Sequence, residues 1–353
     1  MRKDPLRTNV GLKQCGWGGR SFQFGSLSAI QENSVSVVKL GVRVDAIPQN
    51  RSTSAGLRRS LELVASMGAQ SVELCGRTLV PISNLSDTGV RALRKMMDDL
   101  NLRVAAIRFQ TRHGYDHLPD LDRRVEATKA AMKAAYQLGA PIVVNQIGRV
   151  PRAPCSKPES AGLTHGGPLP ASVLQDLASG HADESLTKIL SAAGNAASTH
   201  QSDPETTRWN TMQSVLEDLG RYGAKTGTVL AAETGTEPGG DLADLLRASD
   251  EAFVCAVLNP GQLILNRHSV VDAVDALGDR IAMVSAVDGV LDLAAGRGLT
   301  VPLGQGIADF PNLIGHLEDI PFRGDFVIGR DQMNPETALE ELRKSASYLT
   351  SEF

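Results

Sequence analysis

Aromatic residues are scarce in this 353-residue chain: eight Phe, four Tyr and two Trp, 4% of the total. The stacking surfaces a polysaccharide binder needs are therefore thin. Cysteines are few, at positions 15, 75, 155 and 255, and no pair makes a CxxC or zinc-finger spacing. Cys75 and Cys255 lie in apolar runs and read as buried, reduced thiols of a reducing compartment. No apolar run approaches the length of a membrane span, and the charged first residues lack the apolar segment of a secretory signal. Neither charge dominates: 36 Lys and Arg face 40 Asp and Glu, a net charge of −4. That excludes a sequence-independent nucleic-acid binder. Also missing are GxGxxG after a first strand, a GxxxxGK[ST] loop and a GxSxG elbow. The expectation is a cytoplasmic globular protein with neither nucleic acid nor membrane as partner.

What is present is regular. Hydrophobic residues make up 42%, and a chain of this length can bury roughly three quarters of its unfolded surface. From Val38 onward, short β-branched runs alternate with segments of helical period. Strands are expected at 39–47, 71–75, 102–109, 141–148, 227–234, 252–259, 280–287 and 325–330. Helices are expected at 54–67, 87–100, 120–138, 204–222, 240–248, 268–276, 309–318 and 335–349. Ser86, Asp241 and Asp309 read as helix N-caps, and Gly68 and Gly139 as stops. Eight strand-helix units predict an α/β fold, a (β/α)₈ TIM barrel over 38–353, preceded by an irregular leader at 1–37. A long Pro-, Gly- and Ser-rich insertion occupies about 149–203, with one helical piece near 171–191.

In such a barrel the chemistry sits at the C-terminal ends of the strands. The polar residues there are Asp45, Glu73, Arg108, Asn145, Gln146, Glu233, Asn259, Ser285, Asp288, Arg330 and Asp331. Glu233 is the sharpest. It ends the apolar run VLAA, where a carboxylate must bind a cation, pair with an Arg or Lys across the barrel top, or be protonated. Glu73 and Asn145 are candidates for binding hydroxyls, and Arg330 and Arg112 for holding a phosphate or carboxylate; each reads equally well as a rim salt bridge. His113 and His117 stand four apart in RHGYDH, but Gly114 and Pro119 indicate a loop, so His113 reads as a pocket donor or a solvated histidine more readily than a metal ligand. Trp17 in the leader is a candidate cover for the mouth.

The order and spacing of LDRRVEATKAAMKAAYQLGAPIVVNQIGRVP, LAAETGTEPGGDLADLL, VLNPGQLI, RIAMVSAVDG and VPLGQGIADFPNLIGHLEDIPFRGDFVIGRD resemble the xylose isomerase-like barrels, also called sugar phosphate isomerases/epimerases. The resemblance implies the barrel fold, a small sugar or polyol as ligand, a possible homo-oligomer and an isomerase or epimerase activity. It also implies a divalent cation, Mn or Mg, held by Glu, Asp, His and Glu from the fifth to eighth strands. The two glutamates shuttle a proton next to a carbonyl.

This sequence departs from that pattern. Glu233 matches the fifth-strand glutamate and is the expected base. The sixth-strand Asp is Asn259, the seventh-strand His is Ser285 with Asp288 kept after it, and the eighth-strand Glu is Gly329. Two explanations follow. In the first the metal is lost, leaving a metal-free enzyme or a non-catalytic carbohydrate-binding barrel. In the second Glu233, Asn259, Asp288 and Asp331 rebuild an all-oxygen site. The first is favoured, because Asp331 lies about 6–7 Å further along the strand than Gly329. The remaining expected substrate contacts are Glu73, Arg112, His113, Asn145, Asn259, Asp288 and Arg330.

Overall fold

The β-branched runs become eight parallel strands because each is apolar on both faces, one toward the barrel interior and one toward a covering helix. The structure, a computed structural model, describes residues 38–48, 53–82, 85–154, 203–292, 297–331 and 333–351. Trp17, Cys15, Cys155 and the 171–191 piece lie outside those residues. The elements run β1 (Leu40–Arg43), α1 (Ser54–Ser66), β2 (Ser71–Cys75), α2 (Asp87–Asp99), β3 (Arg103–Arg108), α3 (Leu121–Leu138) and β4 (Ile142–Asn145). They continue with α4 (Pro204–Thr226), β5 (Val229–Glu233), α5 (Gly239–Ser249), β6 (Val254–Leu258), α6 (Pro260–Leu265), α7 (Val270–Leu277) and β7 (Ile281–Ala286). The last are β8 (Asp288–Asp292), β9 (Arg297–Val301), α8 (Phe310–Glu318), β10 (Phe326–Ile328) and α9 (Ala338–Ser351). The barrel closes in the order β1-β10-β7-β6-β5-β4-β3-β2. The expected (β/α)₈ barrel is thus the observed one.

Several local signals act as expected. Ser86 accepts from Gly89 N–H and Asp309 from Asn312 N–H, each capping its helix. Gly139 ends α3 in the left-handed region that favours glycine. Asp241 is a correction: α5 begins two residues earlier after Pro238, so Asp241 sits in the first turn, favourable to the helix dipole. Neither Cys75 nor Cys255 is in a disulfide, and both are only partly buried, a second correction, because both lie at positions that are not fully covered. The antiparallel hairpin β8–β9 and the short helix α6 beneath it were not expected.

The strand period of two places the site. Ala106, Ile142, Val144, Ala231, Val257, Met283 and Val327 belong to one buried cluster inside the barrel. Gly41 joins that layer, since a Cβ there would meet Ser71 Oγ at 2.7 Å and the Val327 methyl at 3.0 Å. Two residues further along every barrel strand except β4 lie Arg43, Glu73, Arg108, Glu233, Asn259, Ser285 and Gly329. These make the next layer up, at the C-terminal mouth.

Candidate active site at the barrel mouth

The mouth is organised around one guanidinium. Arg108 is 5% exposed and ends β3. Its Nε donates to Glu73 Oε1 at 2.6 Å and its Nη2 to Glu73 Oε2 at 3.3 Å. On the other side Nη1 donates to Glu233 Oε2 at 2.7 Å and Nη2 to Glu233 Oε1 at 3.0 Å. Nη2 also reaches Ser285 Oγ at 3.2 Å. Glu73 is fully buried and Glu233 is 6% exposed. Two planar forks therefore grip one planar cation, the geometry arginine favours over lysine.

The neighbours complete the network. Asn259 donates its amide nitrogen to Glu233 Oε1 at 3.0 Å, while its Oδ1 accepts from Gln262 N–H and caps α6. Ser285 Oγ donates to Glu233 Oε1 at 3.2 Å. Arg43 stands beside Glu73, with Nε 3.9 Å from Oε1, and bonds Asp45 at 3.1 Å and Asp331 at 2.5 Å. Burial alone would raise the Glu233 carboxyl, but the Arg108 guanidinium more than offsets it and holds it at about 2. Burial likewise works against charge on Arg108, and the two glutamates hold it well above the usual arginine value. Both partners stay ionised across the physiological range.

The other expected site residues take other positions. Asn145 does not reach this network: it accepts from Thr111 N–H at 3.2 Å and donates to Tyr115 Oη at 2.9 Å. Tyr115 is fully buried, which pushes its phenol up to about 12. Asp288 is 2% exposed, and its carboxylate accepts four backbone N–H bonds, from Gly289, Gly304, Gly306 and Ala308, at 2.8, 3.0, 2.8 and 3.1 Å. It binds the hairpin to the loop that follows. Arg330 forms a fork with Glu341 at 2.7 and 3.0 Å. Arg112, His113 and His117 are exposed, and the two imidazoles lie 4.5 Å apart.

Sequence reasoning named Arg108 among the strand ends without giving it a role. It missed Glu237 altogether. Glu237 lies in the loop after β5 and is 4% exposed. Burial pushes its carboxyl up to about 7, against hydrogen bonds from Thr236 and the Val150 N–H. A carboxyl raised in the folded state costs stability as pH rises from about 4.5 to about 7, because the unfolded chain ionises first. Glu237→Gln removes that cost. Relative to wild type, it should gain on the order of 2–3 kcal/mol between pH 5 and pH 8 in urea titrations. Parallel curves for the two proteins would show that Glu237 does not titrate this way.

Residues 61–351 match the model of a family described as the xylose isomerase-like TIM barrel. The chain belongs to this family. No curated protein matches it. Solved structures give fold likeness at low identity. A xylose isomerase domain protein from Planctomyces limnophilus superposes with TM-score 0.62 at 16% identity, covering 90% of this chain and 100% of the other. D-psicose 3-epimerase from Clostridium cellulolyticum H10, solved with D-tagatose, gives 0.61 at 12% identity, covering 89% and 97%. The 3-keto-D-glucoside 4-epimerase of E. coli gives 0.58 at 14%, covering 89% and 93%.

The metal implied by the family can be tested against these residues. Hard cations need several oxygens not already claimed by another cation. Both oxygens of Glu233 and of Glu73 face Arg108, and those of Asp288 face backbone amides. Asp331 is 61% exposed on its side chain and paired with Arg43. Gly329 has φ of +120°, and a Cβ there would lie 3.0 Å from that of Arg43, so the strand end cannot simply carry a glutamate. Among the described residues no three His, Cys, Asp or Glu are grouped to hold a metal. This residue set does not fit a divalent cation. No helix among the described residues is long and apolar enough to cross a membrane.

Proposed function

We propose that the chain is an isomerase or epimerase of a small, unphosphorylated sugar or polyol. It acts by proton transfer next to a carbonyl, with Glu233 taking the proton. The placement of Glu233 carries this reading. It ends β5 at the barrel mouth, and its Oε2 accepts a single bond, from Arg108, which leaves a lone pair for a substrate proton. Membership of the family supports the reaction class, and the sugar epimerases of like fold add analogy only.

Charge supports an uncharged substrate. Four carboxylates, Glu73, Glu233, Asp45 and Asp331, outnumber the two guanidiniums of Arg43 and Arg108 in this network. A phosphate would meet net negative charge, and the fork of Arg330 is taken by Glu341. With Gly329 in place of a second glutamate, one carboxylate works one face. That suits an aldose–ketose isomerisation better than an epimerisation.

The test is proton exchange. Free aldoses and ketoses are incubated with the enzyme in D₂O and followed by NMR. Deuterium should enter a carbon next to the carbonyl of at least one sugar, and Glu233→Gln should slow this by about 10²-fold or more. Exchange that persists in Glu233→Gln removes Glu233 from the role. Turnover of sugar phosphates alone contradicts the substrate class.

A further inference from the structure

We propose that the Arg108 guanidinium is the electrophile of this site, a built-in cation that holds the substrate's carbonyl oxygen in place of a divalent metal. The proposal rests on the isomerase reading above and deepens it.

Position is the first argument. Arg108 lies between Glu73 and Glu233, the place where a cation shared by those carboxylates must sit. The surrounding residues suit a guanidinium and not a metal. Asn259 turns a donor toward Glu233 Oε1. An aspartate there would set one carboxylate oxygen against another. Ser285 touches both members of the pair, Arg108 Nη2 and Glu233 Oε1. Stability alone is a poor reason for this arrangement, since a buried ion pair is often no better than apolar side chains of the same volume.

Capacity is the second argument. A guanidinium carries five N–H protons, two of them on Nη1. The bonds of Nη1 account for one of these, to Glu233 Oε2. The other is the donor assigned here to the substrate carbonyl oxygen.

The step then balances without a co-reactant. Glu233 Oε2 takes the proton from the carbon next to the carbonyl. The C–H electron pair forms a carbon–carbon double bond, and the carbonyl π pair moves onto oxygen, where the guanidinium meets the developing charge. The proton returns to the other carbon of the double bond, and the hydroxyl proton passes between the two oxygens. As the substrate oxygen draws Nη1 to itself, the bond from Nη1 to Glu233 Oε2 weakens, while Arg108 Nη2, Asn259 and Ser285 keep Oε1 in place.

Two independent readouts test this on the full chain. On the sugar found by exchange, turnover should be unchanged by a chelator. Arg108→Lys, which keeps a charge in the barrel, should lower kcat by about 10²-fold with a smaller change in KM. Thermal melts with and without Mn²⁺ should leave the wild type unmoved, whereas Arg108→Ala should gain a Mn²⁺-dependent rise as its two glutamates become free. Chelator-sensitive turnover overturns the proposal. So does a wild-type Tm rise with Mn²⁺ that Glu233→Gln abolishes. If no sugar exchanges, the isomerase reading fails and the electrophile with it. The melts then still report whether the guanidinium is the resident cation.

Discussion

Arg108→Ala is expected to destabilise the barrel by about 3–5 kcal/mol, because it strips the partner from two buried carboxylates at once. Glu73 and Glu233 would then face each other with Arg43, 3.9 Å from one Glu73 oxygen, as the nearest cation to that pair. The pH dependence should reverse as well. In the wild type, Glu233 is held at about 2 when folded, below its ordinary 4.5. It therefore contributes stability that is present above about pH 4.5 and lost as pH falls toward 2. Without the guanidinium, burial dominates and pushes the same carboxyl up, so the variant regains stability on acidification. Adding Glu73→Gln to Arg108→Ala should recover part of the loss by removing one of two repelling charges. Urea titrations of the three proteins at pH 4 and pH 8 test this. Equal slopes with pH for wild type and Arg108→Ala would contradict the pairing.

Asp288→Ala is expected to cost a similar amount, about 3–5 kcal/mol, through a different mechanism. Four backbone N–H groups, one at the start of the hairpin and three from the loop after it, converge on its carboxylate. Removing it strands two buried donors, the Gly289 and Ala308 N–H groups, and frees two part-buried ones, those of Gly304 and Gly306. Gly306→Ala should do comparable damage, because a Cβ there would come within 2.0 Å of Asp288 Oδ1 and 2.5 Å of the Gly289 carbonyl. The two substitutions attack one cage, so the double variant should lose clearly less than the sum. Denaturation of the two single variants and the double variant gives the answer. Additive losses would mean the cage is not one unit.

The barrel was legible because its pattern is local. Each strand is an apolar run with turn residues on both sides, and observed strand ends lie within a few residues of the expected ones, as with 229–233 against 227–234. The β8–β9 hairpin escaped because VDGVLDLAAGRGLTV mixes strand and turn residues without a clean alternation. At the site, the sequence pointed to Glu233 and to the changes at Asn259, Ser285 and Gly329. It offered a cation across the barrel top as one answer to Glu233, but not which cation. Arg108 is 125 residues from Glu233 and 35 from Glu73, and only barrel closure brings the three together. The strand period did hold the signal, since Arg108 shares a face with Ala106 inside the barrel. Asp288 and Asn145 read as pocket residues because their strand-end position is right. Their partners are backbone amides and Tyr115, which no single-sequence pattern reveals. Glu237 sits in an irregular loop, where burial leaves no periodic trace.

Metal content measures the central claim most directly. The full chain is purified without chelator, loaded with Mn²⁺, dialysed and analysed for metal, beside Glu233→Ala treated in the same way. With Arg108 seated between the two glutamates, both proteins should retain far less than one metal per chain. About one Mn²⁺ per wild-type chain, lost in Glu233→Ala, would show that Glu233 serves a metal and that the guanidinium is not the cation of this barrel.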